Sequence, residues 1–398
     1  MRRRDRDLTL MTMGVVFWAL GYGMYYQLLG VYALRLGASR LQLGMLAAVM
    51  LSVSAAGMIP GAWAATRYSL RWVIAAVWWI TVLAALSYAV APTWQWLVPG
   101  LVLSGFTTAN NSAMKVYILL KSGPSRVAGT MGIVFGATQI GFIVAPLAGG
   151  FLAARLGMRT VFVISACMFV ISSTCVTLIR DVPYHCPGSA PSPRALLANR
   201  PLHRYLGFFA VGFLAIYLAQ PFVSPFLAQV HGQGYAALGI FAAVASVGGA
   251  TLSAVMGRAA DRWGSRAAIG LLLIVLLAGL ALLLIAHTRP VFGVAVLCLG
   301  AFDAFRYVAY GVSARSFGGL ELAWGYGIFD AVMGIPMACG ALLGGALYRQ
   351  SYRLPFIVAI GLCAALLASL VLSRGWGRQT AVGFIRRRHA AAKATYHV

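Results

Sequence analysis

The stretch LCLGAFDAFRYVAYG, Leu297–Gly311, followed after a short connection by AWGYGIFDAVMGIPMACGALLGG, Ala323–Gly345, decides the fold. Each run belongs to an apolar segment long enough to cross a bilayer, which takes about 20 residues for about 30 Å of hydrocarbon. Yet the two carry Asp303, Arg306 and Asp330. The chain has seven acidic residues, and Asp5, Asp7, Asp181, Asp261 and Glu321 fall at segment ends or in loops. Asp303 and Asp330 are therefore the carboxylates placed in mid-span. A charge at that depth costs about 2.5–3.5 kcal/mol on insertion scales, so it is expected to face a protein interior or a wet cavity and to serve a task there.

The rest of the chain is of one kind with this stretch. Of 398 residues, 61% are hydrophobic and 10% charged, and mean hydropathy is +0.85, where a soluble domain is about one quarter charged. Twelve apolar segments can be drawn: 9–33, 41–64, 72–91, 95–118, 127–154, 158–180, 204–229, 235–257, 266–286, 290–313, 322–347 and 353–373. They show no alternation of period two, so they are expected to be helices, which satisfy their own backbone in lipid. The expected fold is an all-α polytopic membrane protein of 12 transmembrane helices in two six-helix, pseudo-symmetric bundles. Residues 1–8 form a cytoplasmic N-terminus, 9–180 the first bundle, 181–203 a Pro- and Ser-rich cytoplasmic linker, 204–373 the second bundle and 374–398 a basic cytoplasmic tail.

The net charge of +24 does not point to nucleic acid, because the basic residues are scattered between apolar runs. It reads as topology. With both termini cytoplasmic, the inner segments hold 22 Lys and Arg and the outer loops 7, with Lys115 and Arg306 left within spans. That asymmetry is the positive-inside bias, here of a multi-pass protein of the cell membrane. The six cysteines lack CxxC spacing and the six histidines fall in loops, span ends or the tail, so no metal site, disulfide framework or cofactor is expected. HExxH, GxSxG and GxxxxGK[ST] are absent, which weighs against an intramembrane enzyme and against ATP hydrolysis by this chain.

An internal repeat is visible at an offset of 195 residues. It takes GMLAAV at Gly44–Val49 onto GIFAAV at Gly239–Val244, Ala65–Arg71 onto Ala260–Arg266, Gly132 onto Gly327, and Gly149-Gly150 onto Gly344-Gly345. Two parallel halves of this sort suit a transporter whose site lies between repeats near the midplane.

MGRAADRWGSR at Met256–Arg266 resembles the cytoplasmic loop signature of the major facilitator superfamily, and GVYALRLGASRLQLGML at the end of the first span is also similar to that family. GATQIGFIVAPLAGG at Gly136–Gly150 resembles the Gly-Pro-Gly-Gly signature of its drug/proton antiporters, with Ala145 where the usual Gly precedes Pro146. The resemblance implies alternating access between the two halves, driven by protons. It makes Gly257, Asp261, Arg262, Gly264 and Arg266 a cytoplasmic gating loop. In the first half Thr66 and Ser69 stand where the family usually has Asp and Gly, which leaves the gating role on Asp261. The plainer reading of that loop is a topogenic basic turn with one compensating acid.

Asp303 and Arg306, spaced i and i+3, lie on one helical face and within reach of each other; they read either as a structural ion pair or as a cavity-facing pair that a proton or charged substrate opens. Asp330, deep in its own segment with no basic residue within a turn, is the expected protonation site, since desolvation perturbs the proton affinity of a carboxyl so placed. Asp303 comes next, with Arg306 as its charge partner. The expected substrate cavity draws on Tyr22, Tyr25 and Tyr26, on Asn110 and Asn111, on Lys115, Gln139, Tyr217 and Gln220. Lys115 reads equally as a snorkelling lysine, and the aromatic stripe as packing. The partners expected are a small-molecule substrate, protons and the lipid bilayer, with the protein a monomer. The leading function is proton-coupled efflux of small amphipathic or drug-like compounds. The alternatives are a proton-linked carrier of a polar metabolite such as a sugar or organic acid, and a membrane sensor that does not transport.

Overall fold

The computed structural model describes the backbone of residues 3–122, 127–182, 200–314 and 321–372, and the side chains within these except those of 3–5, 110–112, 127–128, 200–204, 311–314 and 321–326. Most of the 181–203 linker, the 315–320 connection and the tail from 373 onward lie outside the described residues.

The described chain is helical throughout. Span 1 is α1 (Arg3–Tyr25) and α2 (Leu29–Arg35); spans 2 and 3 are α3 (Arg40–Arg67) and α4 (Leu70–Val90); span 4 is α5 (Leu97–Phe106) and α6 (Asn111–Ser122); spans 5 and 6 are α7 (Val127–Leu156) and α8 (Met158–Thr177). Span 7 is α9 (Arg200–Ala219) and α10 (Val223–Gln229); spans 8 and 9 are α11 (Tyr235–Trp263) and α12 (Ser265–Ile285); span 10 is α13 (Arg289–Leu299) and α14 (Ala301–Ala314); spans 11 and 12 are α15 (Glu321–Gln350) and α16 (Leu354–Leu372). Eleven of the twelve are long and apolar enough to cross a membrane. The fourth departs from the expected continuous segment 95–118: it is interrupted by a tight 3-10 turn at Thr107–Asn110. There the Thr107 and Thr108 hydroxyls donate to the carbonyls of Ser104 and Gly105, three residues back, and such bonds compete with regular helix.

The interruptions recur every third span. Span 1 loosens at Tyr26–Leu28, span 4 at Thr107–Asn110, span 7 at Gln220–Phe222, where Pro221 removes a donor, and span 10 at Gly300. Lengths follow the same period. Spans 2, 5, 8 and 11 have 28, 30, 29 and 30 residues, while spans 3, 6, 9 and 12 have 21, 20, 21 and 19. At 1.5 Å per residue the long class reaches about 45 Å, beyond the hydrocarbon on both sides. The short class just spans it, and its large apolar side chains such as Leu83, Ile274 and Leu372 are exposed, as helices facing lipid require. The six-helix repeat is thus itself a pair of three-helix units.

Two expectations change here. The segment Gly257–Arg266 is not a loop: α11 runs on to Trp263, and the connection to α12 is Gly264 alone, at φ +87°. The apolar pattern stops at 257, but the helix continues into the polar zone because Arg258–Arg262 favour helix as well as any loop. Gly264 does supply the tight turn. Asp7, read as a segment-end charge, is buried in α1, where its carboxylate pairs with the Lys121 ammonium at 2.7 Å and accepts from the Arg180 backbone N–H at 3.3 Å. It ties spans 1, 4 and 6 together at the termini end.

Candidate functional site

The two halves meet along their long helices, span 2 on span 11 and span 5 on span 8. The residues that make this possible are the repeated glycines. A methyl group added to Gly44 would lie 2.6 Å from the Ala341 carbonyl oxygen and 2.7 Å from the Gly345 Cα. One added to Gly239 would lie 2.4 Å from the Pro146 carbonyl oxygen and 2.8 Å from the Gly150 Cα. These are one contact made twice, since the 195-residue offset carries Gly44 onto Gly239, Pro146 onto Ala341 and Gly150 onto Gly345. Backbone approach this close tolerates no side chain. Around it, at the end away from the termini, Arg40 on span 2 donates to the Tyr352 hydroxyl and lies 3.8 Å over that ring. Arg35 lies 4.1 Å over Tyr235 on span 8. At the termini end, by contrast, methyl groups on Gly132, Gly136 and Gly257 would meet nothing within 4 Å among the described residues.

Beneath the closed end, the interruptions in spans 1 and 7 set amides and phenols side by side. One cavity of about 50 Å³ is lined by Gln27, Gln220, Ser224, Ser246, Phe241 and Asp303, among others. A second, of about 100 Å³, lies between the halves and shares Gln27, Gln220 and Ser224. Its wall is otherwise chiefly apolar, with Leu43, Leu46, Met50 and Leu101, and with Tyr26 and Tyr217 as its phenols. Non-helical backbone at membrane depth is tolerated where it lines such a space.

The charges sit around these cavities in two groups. Arg306 donates to the Tyr217 hydroxyl, and its Nε is buried without a hydrogen-bond partner. Arg306 and Asp303 do not form an ion pair within 4 Å; the guanidinium donates to Tyr217 and acts on Asp303 from farther off, so the structural ion pair, one of the two readings, is not formed. Asp303 is exposed, beside Gly249 of span 8, and its carboxylate accepts no hydrogen bond among the described residues. One layer nearer the termini, the Tyr310 hydroxyl donates to Asp330 Oδ1. The Lys115 ammonium, from the other half, stands 5.5 Å from the centre of the Tyr310 ring and within Coulombic reach of Asp330.

Of the residues singled out from sequence, Tyr26, Tyr217 and Gln220 line the cavities, while Lys115 belongs to the Asp330 group. Tyr22 stacks between Trp18 and Tyr26. Tyr25 is instead core: it is 1% exposed and wedged against Tyr88, Phe162 and Phe169. Gln139 is half-buried on span 5 and lines neither cavity. Asn110 and Asn111 fall at the span 4 interruption, and their side chains lie outside the described residues. Arg266 donates to the Leu370 carbonyl at 2.6 Å. Its counterpart Arg71 donates to the Thr177 carbonyl at 2.9 Å. Both therefore staple the last helix of their own half. Asp261 and Arg262 occupy the exposed final turn of α11. Gln27, Ser224 and Ser246 are lining residues that sequence reading passed over. Gln27 carried a signal in retrospect, as the polar residue after an aromatic run just where span 1 loosens.

The Major Facilitator Superfamily family model matches residues 11–216 and 205–392, once across each half. The chain belongs to that superfamily. A curated relative, the MFS-type transporter ppzB of Metarhizium rileyi (strain RCEF 4871), is 28% identical over 124 residues, which is 31% of this chain and 26% of that protein, so the match spans about a quarter of the relative's length. Solved structures share the fold over nearly the whole chain. The nucleoside transporter NupG, in its D323A mutant, superposes with TM-score 0.77 at 14% identity, covering 92% of this chain and 99% of that one. A bacterial homolog of the human lysosomal transporter Spinster, in an inward-facing and occupied conformation, gives 0.74 at 17% identity over 94% and 97%. The human organic anion transporter MFSD10 (TETRAN) gives 0.65 at 15% identity over 93% and 100%. This superfamily member is a multi-pass membrane protein; identities this low carry the fold and no substrate.

Proposed function

We propose that this protein is a proton-coupled transporter, that Asp330 is its proton-binding carboxyl, and that it moves small amphipathic solutes by alternating access. The observation that carries this is the chain Lys115–Tyr310–Asp330, which runs from one half to the other. A proton gained or lost at Asp330 changes the charge facing a lysine of the opposite half. It therefore changes the attraction between the two halves. An effector shifts a two-state element only through such a differential interaction. The mostly apolar cavity between the halves, with phenols and amides at its edge, suits an amphipathic solute better than a sugar, whose hydroxyls need more polar partners than this wall offers. The proposed setting is the cell membrane with both termini cytoplasmic, the direction efflux.

The test is flux in proteoliposomes of purified protein under an imposed pH gradient, read by a lumenal pH dye during solute addition. Wild type should move protons with solute, and Asp330→Asn should move solute down its own gradient without protons. Proton movement retained in Asp330→Asn would remove the coupling assignment and leave the fold untouched.

A further inference from the structure

The cavity pair points to a substrate chemistry, and the inference rests on the transport reading above. Among the described residues, Asp303 is the one charged side chain lining either cavity. The chain as a whole carries +24, so an acidic lining is not a reflection of composition. Its carboxylate is exposed to that space and, among the described residues, forms no ion pair within 4 Å and accepts no hydrogen bond. Gln220 lines both cavities, and its Oε1 is buried without a hydrogen-bond partner among the described residues. An unmatched carboxylate facing this space, with an unsatisfied amide oxygen in its wall, calls for a ligand that donates.

The internal repeat says why Asp303 is unmatched. Its counterpart in the first half is Thr108, whose hydroxyl is 2.9 Å from that of Ser54. Ser54 corresponds to Gly249. A methyl placed on Gly249 would lie 3.4 Å from the Asp303 Oδ2. The second half has thus exchanged a satisfied hydroxyl pair for a carboxylate facing a residue with no side chain.

We infer that the solute is an organic cation: a protonated amine seated at Asp303, a hydrogen-bond donor such as an amide N–H one arm's length away at Gln220, and an apolar body in the larger cavity. Arg306 acts on Asp303 from beyond ion-pair distance while its guanidinium donates to Tyr217, so the carboxylate's contact positions stay open to the amine. An anionic head is disfavoured, since among the described lining residues it meets Asp303 and no cation.

The test is equilibrium binding to the full-length protein in nanodiscs, using three naphthamides with one aromatic body and an aminobutyl, a hydroxybutyl or a carboxypropyl arm. Wild type should bind the amine about tenfold or more tighter than the alcohol, and the carboxylate weakest. Asp303→Asn should bring amine and alcohol level while leaving the alcohol's affinity unchanged. Gly249→Ser, which offers Asp303 an internal donor without altering charge, should weaken the amine severalfold and spare the alcohol. Equal binding of amine and alcohol to wild type, a preference for the carboxylate, or an amine preference that survives in Asp303→Asn overturns the inference. Lost discrimination with intact proton-linked flux of another solute would sink this inference alone, and intact discrimination without proton movement would sink the coupling alone.

Discussion

The first half and the second half share one frame and differ in what that frame displays. Gly44 and Gly239, Gly150 and Gly345, Arg71 and Arg266 do the same job in each copy, and Gly37 and Gly232, again 195 apart, both turn the chain at positive φ. The centre is another matter. Where the second half has Asp303, Tyr310 and Asp330, the first has Thr108, Lys115 and Phe135. Lys115 and Tyr310 are repeat counterparts, and they face each other across the molecule. Duplication supplied a symmetric hinge; divergence at a few cavity positions supplied polarity. The contrast teaches that seam positions are pinned by backbone contact, which admits one residue, whereas cavity positions are free to change because they touch space rather than chain.

The largest expected break in this contrast is Asp330→Asn, which should lower proton-coupled flux by about tenfold or more, while Phe135→Leu, at the counterpart position, should leave the proton-to-solute ratio unchanged. Next come the seam glycines. Gly44→Val and Gly239→Val each force a side chain into opposing backbone, and overpacking of this sort costs about 1–3 kcal/mol. Both should lower the melting temperature of the purified protein by similar amounts; a large effect for one and none for the other would break the claimed equivalence of the two seams.

A smaller effect is expected at the staples. Arg71→Ala and Arg266→Ala each remove a cation from helix-end carbonyls, worth about 0.3–1 kcal/mol at an exposed site, so each should shift melting by a degree or two, with both halves still inserted in the membrane. The smallest concerns a position where the halves differ at the far end, Leu36 in the first and His231 in the second. His231 sits between the rings of Phe226 and Phe292. Burial, then the charges of His287 and Arg353, hold its imidazole below the ordinary histidine value. The folded protein therefore resists a proton that the unfolded chain accepts, so stability is retained above about pH 6.5 and declines as pH falls through that value. Replacing His231 with Gln should flatten that decline in a thermal melt series from neutral to mildly acid pH, with no change at pH 8.

Much of the fold was legible because hydrocarbon imposes long apolar runs and the repeat is spelled in glycines that nothing else can replace. Helix ends were read less well. Arg258–Arg262 looks like a loop by hydropathy and is helix, because the backbone does not end where the membrane does. Asp7 reads as a segment-end charge and is buried, because Lys121 and Arg180 reach it from spans over a hundred residues away. Among the cavity residues, Tyr26, Tyr217 and Gln220 stood out as polar groups in apolar runs, while Tyr25, one position from Tyr26, faces the opposite way into the core. Tyr25 closes α1 and Tyr26 opens the turn that follows it, and no local pattern says which of them meets the cavity.

By itself the sequence determined that this chain crosses a membrane many times in two related halves with carboxylates in the middle, since those properties follow from transfer cost and from a written repeat. Only the tertiary structure decided which partner each charge has. Asp303 lost the expected Arg306 contact to Tyr217, and Asp330 acquired Tyr310 and a lysine from the other half. Such pairings depend on the rotation of separate helices about one another, which no spacing along a single helix can specify.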